Sequence, residues 1–343
     1  MTTHAHAEQP PSRPPVADVD PFPRKTTRPW DAIFHALVLG SVAVAIGALI
    51  WLMWSIVQKG APHLSWDFLT TKATGSAETS GFTSAIRGSF VLMIITMAVA
   101  LPLGYAAAIY LEKFAAERVL AAKARELRLR QQIADGDGGL GTRVRLIWAR
   151  MVGPLNRLVE INISNLAAVP SIIYGLLGLA LFISFAGLRE SLLAGGLTLA
   201  ILVLPIIIIS SREAIRAVPI SIEQGALGLG ATRWQAIRGQ VVPAAAPGML
   251  TGSILAMSRA IGESAPLIVV GGVVFSTRIP SVNPLNAGHE ALIAMPLQAF
   301  FWAGHPRENF RELAAAGIIV LMGVLLIMNA VAIYLRNRYS KRW

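Results

Sequence analysis

An arginine and a glutamate, Arg259 and Glu263, stand four residues apart inside the apolar run Gly248-Met-Leu-Thr-Gly-Ser-Ile-Leu-Ala-Met-Ser-Arg-Ala-Ile-Gly-Glu-Ser-Ala-Pro-Leu. A charge buried in such a run is expensive in a bilayer and marks a functional site by default. Four residues is close to one helical turn, so the two side chains share a face. The chemistry on offer is anion recognition: the guanidinium attracts the anion, and the carboxylate holds the guanidinium and moderates its affinity so that the anion leaves. The competing reading is an ion pair that only fixes helix packing. Desolvating two ions can cost more than their attraction returns, which favours a pair lining an aqueous path. Gly248, Gly252, Ala256, Ala260 and Ser264 repeat every fourth position and mark a second face where another helix packs closely. Counted from Pro247 at roughly 1.5 Å per residue, Arg259 lies about 18 Å along the helix, past the middle of a core about 30 Å thick. Pro266 has no N–H for the carbonyl of Gly262, so the helix is expected to loosen just after the pair.

A polar connector, residues 212–245, precedes this span. Within it, 218–245 reads as two short helices meeting at a tight corner. Ser221 with Gln224 forms one candidate capping box and Thr232 with Gln235 a second. Gly230 suits the left-handed residue that ends a helix. Pro243 and Pro247 mark the start of the span. A short capped helix lying crosswise at a membrane surface is a docking element for another protein. The plainer alternative is an ordinary re-entry loop.

These features need a frame of membrane helices. Of the 343 residues, 54% are hydrophobic and only 14% charged, against roughly 25% charged in soluble domains. Several apolar runs reach the roughly 20 residues that cross a bilayer. The expected spans are Phe34–Val57, Gly88–Leu111 (with Pro102 and Gly104 suggesting a kink), Ile163–Phe185, Ser191–Ser211, Pro247–Phe275 and Leu313–Leu335. The short link between the third and fourth predicts an antiparallel hairpin. Residues 1–33 are polar, with too few large apolar side chains to fold, and read as a disordered cytoplasmic tail. His4 and His6 within it make no metal tract. The first span occupies 34–58, a loop 59–81, the core domain with the other five spans 82–335 and a basic end 336–343. Inside the core, loop 112–160 is the most polar segment, with a basic helix candidate over Ala115–Ile133.

Six spans put both termini on one side. On that side, the tail, the 112–160 loop, the 212–245 connector and the C-terminal end together carry 22 of the 30 Lys and Arg residues, against seven in the opposite loops. By the positive-inside rule, the termini and both long loops are cytoplasmic. A cysteine placed at Gly75 or Gly288 is then expected outside, and one at Asp137 or Thr232 inside. The net charge of +11 thus reflects orientation and lipid headgroups rather than nucleic acid.

Other chemistries lack support. There is no cysteine, hence no disulfide or thiolate. The Asp135-Gly-Asp-Gly-Gly-Leu-Gly turn lacks the closing glutamate of a calcium loop and the Gly-Lys-Ser/Thr of a phosphate-binding loop. His35, His63, His289 and His305 show no ligand spacing, and no cofactor is implied.

Three motifs resemble a known family. Val218-Pro-Ile-Ser-Ile-Glu-Gln-Gly-Ala-Leu-Gly-Leu-Gly-Ala-Thr-Arg-Trp with Pro243 resembles the cytoplasmic EAA loop of ABC importer permeases. Ser258-Arg-Ala-Ile-Gly-Glu-Ser-Ala-Pro-Leu resembles the fifth-span signature of PstA-type phosphate permeases, and Asn165-Leu-Ala-Ala-Val-Pro-Ser-Ile-Ile-Tyr-Gly-Leu the third-span signature of the same branch. The resemblance covers most of 82–335. It implies an all-α integral membrane protein of the type I ABC importer permease fold, with six transmembrane helices and both termini cytoplasmic, in a bacterial inner membrane. The implied function is phosphate import, with Arg259 and Glu263 in the substrate path. Ser221, Glu223, Gln224, Gly230 and Thr232 then form the ATPase-coupling loop. The implied partners are a PstC-type permease subunit, two copies of a cytoplasmic ABC ATPase and an extracytoplasmic phosphate-binding protein; ATP is hydrolysed by the separate chain. The alternatives are the same machine for sulfate or molybdate, or a secondary anion transporter. Two departures stand out: Gln224-Gly225-Ala226 replaces the Glu-Ala-Ala of the motif, with Glu223 one place early, and the 112–160 loop exceeds the usual length.

Overall fold

Apolar runs without strand alternation give helices throughout. The computed structural model describes residues 29–135, 139–272 and 279–339, in which the only β pairing is an isolated bridge between Ser191 and Ala291. The tail through residue 28 with His4 and His6, the centre of the Asp135–Gly141 turn including Asp137, Arg278 and Phe275, and residues 340–343 lie outside the described residues.

The chain forms two units, one ending at Met53 and one beginning at Trp54. The first unit is carried by helix α1 (Pro29–Gly60), whose Phe34, Leu37, Leu39, Val44, Ile50 and Trp51 are all exposed. A helix apolar all round suits lipid rather than water.

The second unit begins with α2 (Trp66–Thr70), capped by Ser65, whose hydroxyl accepts from the Phe68 N–H at 3.1 Å. Helix α3 (Thr83–Ile109) runs unbroken through Pro102 and Gly104, then through a π-helical turn (Tyr110–Ala115) into α4 (Ala116–Ala134). Helix α5 (Leu140–Ala167) packs back along α4. The expected 112–160 loop is therefore a helical hairpin, and its basic helix candidate is α4.

The third span corrects the sequence reading. The expected continuous helix Ile163–Phe185 is broken: α5 ends at Ala167, and the segment α6 (Ser171–Gly178) plus a π-helical stretch (Leu179–Phe185) leaves it at a bend of 109°. Pro170 is the cause, since it disfavours helical geometry at Val169 and caps α6 with an extended ψ of 136°. The Tyr174 hydroxyl donates to the Leu166 carbonyl at 2.6 Å across the bend.

Helix α7 (Leu192–Arg216) follows, with Pro205 inside it; α6 and α7 pack together. The connector holds α8 (Ile220–Gly228) and α9 (Arg233–Ala236). From α9 the chain runs through a π-helical turn (Ile237–Val241) into α10 (Val242–Gly262), and after a two-residue break into α11 (Ala265–Val269). Helix α12 (Met295–Ala303) precedes α13 (Glu308–Tyr339), which takes in Arg336 and Arg338 of the expected basic end. Among the described residues, five helices are long and apolar enough to cross a membrane, and counting the bent pair as one span makes six.

Nothing in the sequence pattern assigns an element to 295–303. Helix α12 forms there because Trp302, fully buried, joins an aromatic cluster with Phe68, Phe82 and Phe310, at ring centroid distances of 6.4, 5.7 and 6.2 Å. Buried Gln298 donates to the Gly81 carbonyl at 3.4 Å.

Candidate functional site

The small-residue row on α10 does what its spacing predicts. A Cβ on Gly252 would lie 2.0 Å from the Ser210 hydroxyl oxygen, and one on Gly248 2.7 Å from the Ala214 Cβ. Ala256 and Ala260 are buried. This face therefore seats against α7, and substitution would force the two helices apart. Ser264, the expected fifth member, falls beyond the helix.

The helix ends earlier than the sequence reading placed it. Helix α10 stops at Gly262, and Glu263 is already extended (φ −78°, ψ 118°). The proline ring of Pro266 clashes with the carbonyl four residues back, that of Gly262, so helical geometry fails before the pair is complete. The expected span to Phe275 is corrected accordingly. Arg259 Nε and Glu263 Oε1 still lie 3.3 Å apart, with side chains 48% and 17% exposed. Arg259 shares an exposed stripe with Leu255 and Gly262. It also occupies the last turn of α10, where unpaired carbonyls favour a cation. Non-helical backbone at membrane depth is tolerated only where it is buried in protein or lines a watery cavity. Glu263 and Ser264 at the break are both partly buried.

The two signature segments meet in space. A Cβ on Gly175 of α6 would lie 2.8 Å from the Pro266 Cα and 2.9 Å from the Val269 Cβ. The bent third span and the broken fifth span thus pack backbone against backbone, α6 against α11, directly beyond the Arg259–Glu263 pair.

In the connector, one cap is found and one is corrected. Thr232 caps α9 with a complete capping box: its Oγ1 accepts from the Gln235 N–H at 3.4 Å, and the Gln235 Oε1 accepts from the Thr232 N–H at 2.8 Å. Ser221 caps nothing. Helix α8 starts two residues earlier from Pro219, whose carbonyl already accepts the Ile222 N–H at 3.1 Å. Gly230 has φ +87°, as the corner requires.

The loop's faces divide its residues. Ser221, Gln224, Gly230 and Thr232 are exposed, together with Ile220, Leu227, Leu229 and Trp234. Glu223 is buried instead. Its Oε2 accepts from Lys113 Nζ at 2.6 Å, and its Oε1 lies 3.9 Å from Arg233 Nε. Arg233 also donates to the Lys113 carbonyl and sits 5.5 Å over the Phe114 ring. The connector is thereby clamped to the π-helical turn at the foot of α3. A second network flanks it: Arg216 bonds both Glu112 oxygens at 3.1 and 3.0 Å, while Arg212 bonds Glu112 at 3.4 Å and also Glu160. Sequence reasoning missed both networks, because most of their partners stand 52 to 120 residues apart in the chain. The one local sign was Glu223, a lone acid set between apolar Ile220 and Ile222 and the polar Gln224.

No Cβ at Gly230 would meet an atom within 4 Å, so a substitution there carries backbone strain alone. For a β-branched residue held in the left-handed region this is roughly 1–3 kcal/mol. Gly230→Val is expected to leave membrane levels near wild type while displacing α9 against α8; limited proteolysis at the corner should accelerate. Unchanged proteolysis would mean that the corner tolerates the side chain.

Comparison with known proteins follows from this geometry. The family described as "Binding-protein-dependent transport system inner membrane component" matches residues 141–341. The probable ABC transporter permease protein YqgH of Bacillus subtilis (strain 168) is 30% identical over 301 residues, covering 85% of this chain and 84% of that one. YqgI of the same organism, also a probable ABC transporter permease protein, is 25% identical over 307 residues, covering 88% and 92%. The phosphate transport system permease protein PstA of Haemophilus influenzae is 27% identical over 308 residues, covering 88% and 93%.

Proposed function

This chain belongs to the family of binding-protein-dependent transport system inner membrane components, and from that premise we propose that it is the A-type permease subunit of an ATP-driven phosphate importer. As a member, it is the multi-pass permease subunit of an ABC importer in a bacterial inner membrane; ATP is hydrolysed by separate ATPase subunits, and a binding protein delivers the substrate. The relatives named PstA support phosphate as that substrate. The observation that carries the reading is the Arg259–Glu263 pair at a break in the fifth span, with the Arg259 side chain half exposed rather than sealed in the core. A PstC-type subunit completes the path on the open side of this pair. Arg259 attracts the anion, and Glu263 limits how long it is held.

The connector is the coupling element. Its exposed apolar residues, Ile220, Leu227, Leu229 and Trp234, form the kind of surface patch that another protein covers. Ser221, Gln224, Gly230 and Thr232 lie on that exposed side, and Glu223 positions the loop from within. Because α9 continues through its π-helical turn into α10, a push on α9 reaches Arg259 along one helix. Both termini, the α4–α5 hairpin and the connector are cytoplasmic in this reading.

Two measurements test it. Cysteines at Gly75 and Gly288 should react with an impermeant maleimide from outside, and one at Asp137 only from inside; the native chain has none to interfere. The chain should also co-purify with a second permease chain and an ATPase whose hydrolysis is stimulated by the phosphate-loaded binding protein. Stimulation by sulfate or molybdate in place of phosphate would assign the machine to another oxyanion.

A further inference from the structure

We propose that the α4–α5 hairpin is a membrane-surface element, with an apolar stripe of α5 seated among the headgroups of an anionic lipid leaflet. This rests on the reading that places the hairpin on the cytoplasmic side. Three observations carry it.

The first is direction. The axis of α5 stands at 109° to the segment Ser171–Phe185. If that segment crosses the bilayer near its normal, α5 runs close to the membrane plane. The second is the stripe itself. Leu140, Val144, Ile147, Met151, Leu155 and Leu158 recur at helical spacing, and all are about half exposed or more. The opposite face turns to α4: Ala149 is buried, and a Cβ on Gly153 would meet Val119 at 3.8 Å. The stripe therefore has no partner within the described residues. Such a run on a soluble face is unusual and marks an interaction surface. The third is charge. Arg143, Arg150 and Arg157 flank the stripe on one side and Arg145 on the other. Arg118, Arg125 and Arg145 line an open groove of about 530 Å³ beside Trp148. An apolar helical face with a basic border and an aromatic at its edge is the signature of a helix lying in the interface, and the basic border selects anionic lipid. Lipid is favoured over a protein occupant because arginines border the apolar stripe on both sides, a charge pattern that complements anionic headgroups.

The test uses the assembled importer in nanodiscs of phosphatidylcholine, with or without phosphatidylglycerol. Spin labels are placed on Ile147→Cys and Met151→Cys, with Gly75→Cys, exposed and with open space around it, as the aqueous reference. In discs containing phosphatidylglycerol, labels at 147 and 151 should show a several-fold higher ratio of oxygen to nickel-chelate collisions than the label at 75. Arg143→Gln with Arg145→Gln should lower that ratio only when anionic lipid is present. Nickel access at 147 and 151 equal to that at 75 in both lipids would overturn the proposal. So would shielding from both reagents regardless of lipid, since a protein would then cover the stripe. The side of the membrane is read separately, by maleimide labelling at Gly75, so a wrong topology and a wrong occupant give different results.

Discussion

Arg259→Ala should lower phosphate uptake by about two orders of magnitude or more while the protein stays in the membrane at near wild-type levels. The size follows from losing charge-assisted hydrogen bonds to a largely desolvated anion, roughly 2–5 kcal/mol. Retention follows from where the packing lies. Ala256 and Ala260 carry the buried contacts of α10, whereas the Arg259 side chain is 48% exposed. Arg259→Lys should keep only part of the activity, because an ammonium does not reproduce the planar fork of a guanidinium. Glu263→Gln separates two roles. If the carboxylate tunes the path, abundance holds and turnover falls, as an unmoderated arginine retains its anion; if it braces the bundle, abundance and uptake fall together. Uptake per assembled complex, with complex quantified by co-purified ATPase, distinguishes these outcomes.

Glu223→Ala should have the largest effect on stability. The Glu223 and Lys113 side chains are 11% and 15% exposed, and removing the acid leaves Lys113 and Arg233 without their shared carboxylate. Breaking a buried pair in this way costs about 3–5 kcal/mol, and water at the loop's edge places this case toward the lower end. The expected result is a lowered thermal midpoint in detergent, earlier proteolysis of the connector, and loss of substrate-stimulated ATP hydrolysis. Glu223→Gln, which keeps the hydrogen-bonding shape, should fall between the two. A midpoint unchanged in Glu223→Ala would mean that the clamp does not hold the connector.

The parts of this molecule that follow from local rules could be read in the sequence. The row from Gly248 to Ala260 is helical periodicity and lies where the period puts it; Glu263 reaches Arg259 from extended backbone just past the helix end. Gly230 and the Thr232–Gln235 box are backbone and capping chemistry within a few residues. Pro266 was readable as a point where the fifth span loosens, but its reach is longer than expected, and Pro170 was not read as a breaker. Pro266 stops the helix at the carbonyl four residues before it, not after it, and Pro170 breaks a run whose hydrophobicity continues undisturbed on both sides. Ser221 lost its capping role to Pro219, a competition that composition alone does not decide. Helix α12, the Glu223 clamp and the Glu112–Arg216 network depend on partners far away in the chain, and no local pattern announces them. The polar character of 112–160 set it apart from the apolar spans, but its apolar stripe becomes evident only once α5 is seen as a single helix.

The central claim is that Arg259 and Glu263 form part of the anion path. The most direct test is phosphate uptake by the double variant Arg259→Met/Glu263→Gln, which removes both charges together and so leaves no unpaired ion to unfold the bundle. Uptake per assembled complex should fall to background while complex abundance is preserved. Wild-type uptake in that double variant would contradict the assignment.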